Sequence, residues 1–126
     1  MPKSSLISIV EDDQPFRESM RKLMGVLGYT VEAFPSAGSF LAWPLFANTA
    51  CLVADVHMPD MTGVDLYKVL TKAGHSIPTI LVTAYPDASV RQHMLAMGVH
   101  CYLPKPLEEA VLIDCLRSAV GRGGMS

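Results

Sequence analysis

Short apolar runs alternate with segments of helical period five times along this chain, and that alternation limits the fold more than any other feature. Leu6-Ile7-Ser8-Ile9-Val10 reads as a strand. Asp13 then caps a helix with Pro15 in its first turn, and Phe16, Met20, Leu23, Met24 and Leu27 form its apolar stripe up to a closing Gly28. Tyr29 to Phe34 reads as a second strand. Ser36 caps a second helix carrying Phe40, Leu41, Leu45 and Phe46, with Pro44 as a kink or early stop. Ala50 to Ala54 is continuously apolar and ends abruptly at Asp55, as a strand covered on both faces does. Thr62 caps the third helix, with Asp65 placed for a capping box and Val64, Leu66, Tyr67, Val69 and Leu70 as its apolar residues. Pro78 to Thr83 is a fourth strand, and Asp87 opens a helix ending near Gly98. Val99 to Leu103 is a fifth strand. Pro106 starts the last helix, with Glu108 and Glu109 in its first turn and Val111, Leu112, Cys115, Leu116 and Ala119 on its inner face.

Strands that alternate with helices call for a parallel sheet with helices on both faces. The fold class is therefore α/β, and five units in 126 residues fit a flavodoxin-like, doubly wound sheet of order 2-1-3-4-5. Residues 1–120 read as one domain, and 121–126, with Gly121-Arg122-Gly123-Gly124, as a flexible tail or the start of a linker. Half the residues are apolar and 17% are charged, which excludes a disordered chain. The longest apolar stretch, Phe40 to Ala47, is eight residues and contains Pro44, whereas a membrane span needs about 20. A net charge of −2 gives no electrostatic basis for gripping nucleic acid. Cys51, Cys101 and Cys115 are an odd number without metal-ligand spacing, so the expectation is buried free thiols in a reduced, cytoplasmic protein. His100 and Cys101, as adjacent strand residues, are expected to point to opposite faces and not to share a metal.

In such sheets the site lies beyond the carboxyl ends of the strands. The residues there are Glu11, Asp12 and Asp13 after strand 1, Asp55 after strand 3, Thr83 after strand 4, and Lys105 after strand 5. Singly each has an ordinary role: a turn former, a strand filler, a surface lysine. Asp13 keeps such a role as a helix cap. Together, the others make a chemical set. Clustered carboxylates repel unless a cation joins them, oxygen-only ligands select a hard ion such as Mg²⁺, a carboxylate can attack phosphorus, and a hydroxyl and an ammonium can neutralise a transferred phosphoryl group.

At these residues the sequence resembles a two-component response-regulator receiver (CheY-like) domain over about Ser4 to Ala119. Val10-Glu11-Asp12-Asp13, Asp55-Val56-His57-Met58-Pro59-Asp60-Met61-Thr62-Gly63, Thr83-Ala84 and Lys105-Pro106 stand in that family's order, and Met-Pro-Asp-Met-Thr-Gly is most similar to the FixJ-type transcriptional regulators. The resemblance implies that Asp55 accepts phosphate from the phosphohistidine of a sensor histidine kinase or phosphotransfer protein. Such a protein is no conventional enzyme, yet it catalyses its own phosphorylation and autodephosphorylation. Asp12, Asp55 and the main-chain carbonyl of His57 would hold Mg²⁺, with Glu11 reaching it mainly through water. Lys105 would pair with Asp55 or its phosphoryl group, and the Lys105-Pro106 peptide would be cis. Thr83 and Tyr102 would act as the switch, changing the face of helix 4, strand 5 and helix 5. His57 and Tyr85 would flank the route of the attacking water and tune phosphoryl lifetime.

The same resemblance implies a kinase helix docking near helix 1, along the exposed side of Phe16 to Leu27, and a phosphorylation-dependent homodimer through a face carrying Arg91, Tyr102 and Arg117. The output would be transcriptional, with no nucleic-acid contact by this domain itself. A stand-alone receiver acting in a phosphorelay or by protein contact is the alternative. A phosphatase of the haloacid dehalogenase type ranks lower, because it wants an Asp where His57 stands.

Overall fold

In the computed structural model, which describes residues 5–124, the five apolar runs pair as five parallel strands in the order β2-β1-β3-β4-β5. These are β1 (Leu6–Val10), β2 (Thr30–Phe34), β3 (Cys51–Asp55), β4 (Thr79–Thr83) and β5 (Cys101–Pro104). The helices are α1 (Gln14–Val26), α2 (Ala37–Ala42), α3 (Gly63–Lys72), α4 (Ala88–Met97) and α5 (Glu109–Gly124). The sheet order is the expected one. Every residue of β3 and β4 is buried, because both faces of the sheet are covered.

Alternation along the strands sorts their side chains into two cores. Ile7, Ile9, Val53, Ile80, Val82 and Leu103 pack with Met20 and Met24 of α1 and with Leu112 and Leu116 of α5. On the other face Leu52, Ala54, Leu81 and Tyr102 pack with Phe40 of α2, Leu66 and Leu70 of α3, and Met94 of α4. Among the described residues no helix is long and apolar enough to cross a membrane.

Local chemistry sets most boundaries. Asp13 caps α1, its carboxylate accepting from the Phe16 amide at 3.0 Å. Gly28 follows α1 at φ 98°, a conformation that costs glycine little. Thr62 and Asp65 form the expected capping box on α3.

Four boundaries differ from the sequence reading by more than one residue. Pro44 acts as a full stop: α2 ends at Ala42, Leu45 is exposed, and Phe46 enters a 3₁₀ turn, Phe46–Asn48, where its ring meets Phe40 at 5.6 Å. β5 begins at Cys101, not Val99, because the Val99 amide still donates to Met94 O and closes α4. α5 begins at Glu109, not Pro106, its early turn marked by the Leu112 amide donating to Glu108 O at 3.0 Å. At the other end α5 continues through Gly121–Gly124, where a flexible tail was expected. A formed helix adds one bond per residue, and glycine weakens this by only about 1 kcal/mol. Val111, expected on the inner face, is exposed. Residues 125–126 of the expected tail lie outside the described residues.

Phe40 has no exposed surface and joins α2 to the sheet, whereas Val26 is 85% exposed. Phe40→Ala is expected to lower unfolding free energy by about 3–5 kcal/mol, and Val26→Ala by no more than about 0.5 kcal/mol. Urea denaturation of the two variants checks the contrast.

Candidate functional site

Four strands end at one rim, and their last residues set the site. β1 leads into Glu11 and Asp12, β3 ends on Asp55, β4 ends on Thr83, and β5 leads into Lys105. Register brings them together: Asp55 is level with Val82, and Thr83 with Pro104. The Lys105 amide donates to Thr83 O at 2.8 Å, fixing where the lysine leaves the sheet. The Lys105–Pro106 peptide is cis.

Glu11, Asp12 and Asp55 each offer a carboxylate oxygen, and these lie within 4.8 Å of one another. Glu11 is fully buried and Asp55 is 5% exposed, while Asp12 faces solvent. Lys105 Nζ donates to Glu11 Oε1 at 2.9 Å and to Asp55 Oδ2 at 3.4 Å. Two backbone amides complete the holding: Asp13 N donates to Glu11 Oε2 at 3.1 Å, and His57 N donates to Asp55 Oδ1 at 3.1 Å.

Three carboxylates against one ammonium leave the cluster short of positive charge. Burial is the main reason the Glu11 carboxyl is pushed up to about 7, and the nearby Asp55 adds to it. Lys105 and the Asp13 amide offset part of the rise. Partial burial pulls the Lys105 ammonium down, but the attraction of Glu11 and then Asp55 outweighs this and leaves it raised. The donor set is all oxygen and over-charged, which is the chemistry a hard divalent cation fits. Glu11, expected to be the more remote ligand, is the carboxylate nearest the lysine.

Thr83 is fully buried, its Oγ1 accepting from the Tyr85 amide at 3.0 Å. Tyr102 is buried among the α3 and α4 residues, and its hydroxyl accepts from the Asp87 amide at 3.3 Å. Tyr102 is thus turned inward, whereas Arg91 and Arg117, grouped with it on the face of α4, β5 and α5, are exposed. His57 and Tyr85 are both exposed, and their rings meet edge-on at 5.3 Å beside the rim.

Three contributions were not read from the sequence. The Phe16 ring, assigned to the α1 stripe, lies 4.3 Å from Lys105 Nζ and supports the ammonium through its π face. Arg17 donates to the Glu11 carbonyl at 2.7 Å. Gly63 lets the α3 N-terminus approach β3, since an added Cβ there would collide with the Asp55 carbonyl group. Phe16 and Arg17 sit one turn into a helix whose start was legible, but Phe16 leans toward a lysine far along the chain and Arg17 back onto the Glu11 carbonyl.

The raised Glu11 value has a definite sign. Without metal, its contribution to stability is full below about pH 4.5, the ordinary value, and is lost as pH rises through about 7. In chelator, the unsubstituted protein is expected to lose more melting temperature than Glu11→Gln across that interval. Equal slopes in the two proteins would contradict the assignment.

The family model for the response regulator receiver domain matches residues 7–117. Transcriptional regulatory protein FixJ of Azorhizobium caulinodans is 31% identical over 122 residues, covering 97% of this chain and 58% of that protein. Response regulator protein TodT of Pseudomonas putida is 31% identical over 118 residues, covering 94% of this chain and 52% of that protein. The chain thus spans about half the length of these curated relatives. The crystal structure of FixJ-N superposes with a TM-score of 0.84 at 31% identity, covering 95% of this chain and 96% of that one. A receiver match over most of the chain, on this sheet order, identifies the chain as a member of the response regulator receiver domain family.

Proposed function

We propose that this domain is a phosphoryl-accepting switch in which Asp55 is the acceptor, and the observation that carries the reading is the convergence of Glu11, Asp12, Asp55 and Lys105 on one rim. The donor is a phosphohistidine on a sensor histidine kinase or phosphotransfer protein. An Asp55 carboxylate oxygen attacks phosphorus, the phosphorus–nitrogen bond breaks, and the histidine nitrogen leaves with the electron pair. Asp12, Asp55 and the His57 carbonyl would hold Mg²⁺, with Glu11 reaching it mainly through water. Bound there, the ion would neutralise charge on the transferring phosphoryl oxygens.

The chain's own groups do the rest. The His57 amide, donating to Asp55 Oδ1, fixes the carboxylate's rotation. Lys105, already 3.4 Å from Asp55 Oδ2, supplies a counter-charge where the phosphoryl oxygens arrive. The Thr83 hydroxyl rotates to donate to a phosphoryl oxygen, which disturbs its contact with the Tyr85 amide. Tyr102, tied by its hydroxyl to the start of α4, carries that disturbance to the α4–β5–α5 face. Docking of the donor near α1, dimerisation through the α4–β5–α5 face, and a transcriptional output in a longer protein complete the reading. That the curated relatives are transcriptional and response regulators about twice this length supports the last of these.

Incubation with Mg²⁺ and acetyl phosphate tests the reading. The expected product is a one-to-one, acid-stable, base-labile adduct, absent in Asp55→Asn and formed about 10²-fold more slowly in Lys105→Ala. Continuous turnover would support a hydrolase, and no adduct at all a binding module. On this reading the His57 and Tyr85 rings, which meet edge-on at 5.3 Å, flank the route of the attacking water, so His57→Ala is expected to change adduct lifetime. An unchanged lifetime removes any role for that pair.

A further inference from the structure

Strand β5 and helix α5 meet through sulfur. Cys101 opens β5, Cys115 lies 14 positions later on α5, and their Sγ atoms are 2.6 Å apart. Both are free thiols and both are half-buried, not buried as the sequence reading had it, whereas Cys51 is fully covered. A neighbouring contact ties the residue just before β5 to α5: His100 Nε2 and Ser118 Oγ are 2.9 Å apart. His100 precedes β5, so strand alternation does not divide it from Cys101, and both side chains reach α5 at points one turn apart.

A thiol gains little from another thiol, being a weak donor and a weak acceptor. Metal capture does not explain the pair. Among the described residues the one group of three or more metal-binding side chains is Glu11, Asp12 and Asp55, so no third ligand joins these two sulfurs. What two half-buried thiols in contact across separate rigid elements can do is join.

We propose that Cys101 and Cys115 are an oxidation site, at which a low-molecular-weight disulfide converts the two thiols into an intramolecular bridge that staples α5 to β5. One cysteine, having released its proton, attacks a sulfur of the external disulfide, whose S–S bond breaks and whose other half leaves as a thiolate. The second cysteine releases its proton and attacks the protein sulfur of the mixed disulfide, expelling the second external thiolate. The two thiolates take up the two protons. The protein pair is oxidised by two electrons, and the external disulfide is reduced to two thiols. Burial, then the neighbouring Cys115 sulfur, holds the Cys101 thiol up at about 12, which keeps this exchange slow until oxidant accumulates. A reducing compartment returns the pair to the dithiol. The site lies in the α1–α5 core, on the opposite face of the sheet from Tyr102, and stands whether or not Asp55 accepts phosphate.

The test uses the full chain, treated with glutathione disulfide and then with dithiothreitol. Thiols are alkylated under denaturing conditions and peptides are mapped by mass spectrometry without reduction. The expected result is loss of two of the three thiols, a Cys101–Cys115 linkage, and full recovery on reduction. Cys51→Ser should bridge as the unsubstituted chain does, and Cys101→Ser and Cys115→Ser should form no intrachain bridge. The bridged form should melt several degrees above the reduced form. Three thiols surviving treatment, a bridge that uses Cys51, stable mixed disulfides with glutathione, or equal melting midpoints would overturn the proposal.

Discussion

A buried carboxylate has to be paired, and here the pairing spans the chain. Glu11 has no exposed surface, and the ammonium that meets it, Lys105, is 94 positions away. Leaving either group alone in that environment costs several kcal/mol. β1 and β5 are not neighbours in the sheet, so the pair can form only when β3 and β4 lie between them in the right register. The ion pair therefore reports correct assembly of four strands. It also gathers Asp55, whose Oδ2 shares the same ammonium.

The rim is built with rigid parts. Asp55 is a strand residue, not a loop residue, and its two oxygens are divided between a backbone amide and the lysine. Gly63 brings the start of α3 against the Asp55 carbonyl, and Phe16 closes over the lysine. Of the three clustered carboxylates Asp12 is the exposed one. Buried Glu11, nearly buried Asp55 and exposed Asp12 grade the acidic cluster from the protein interior to solvent.

Much of this was legible because both kinds of periodicity are strong. β1 and β4 have two-sided apolar runs ending in Val10 and Thr83, and the caps at Asp13, Ser36, Thr62 and Asp87 announce helices. The candidate site followed from asking what stands after each strand. What was not legible depends on contacts between distant segments. The helix period could not show that Pro44 stops α2 while Phe46 still reaches Phe40. Nothing local distinguishes Val99 as the closing residue of α4 from Val99 as a strand residue. The Phe16 support of Lys105 and the Cys101–Cys115 contact each join two elements whose relative rotation no single segment encodes.

The central claim is that folding leaves three carboxylates short of positive charge around one ammonium, so that the rim takes up one divalent cation. Calorimetric titration of Mg²⁺ into the unsubstituted chain and into Asp12→Asn measures this directly. Asp12 is exposed, so its loss leaves the fold in place. The account predicts one Mg²⁺ per chain for the unsubstituted protein and none over the same range for Asp12→Asn. Equal binding by the two proteins, or no binding by either, would contradict it.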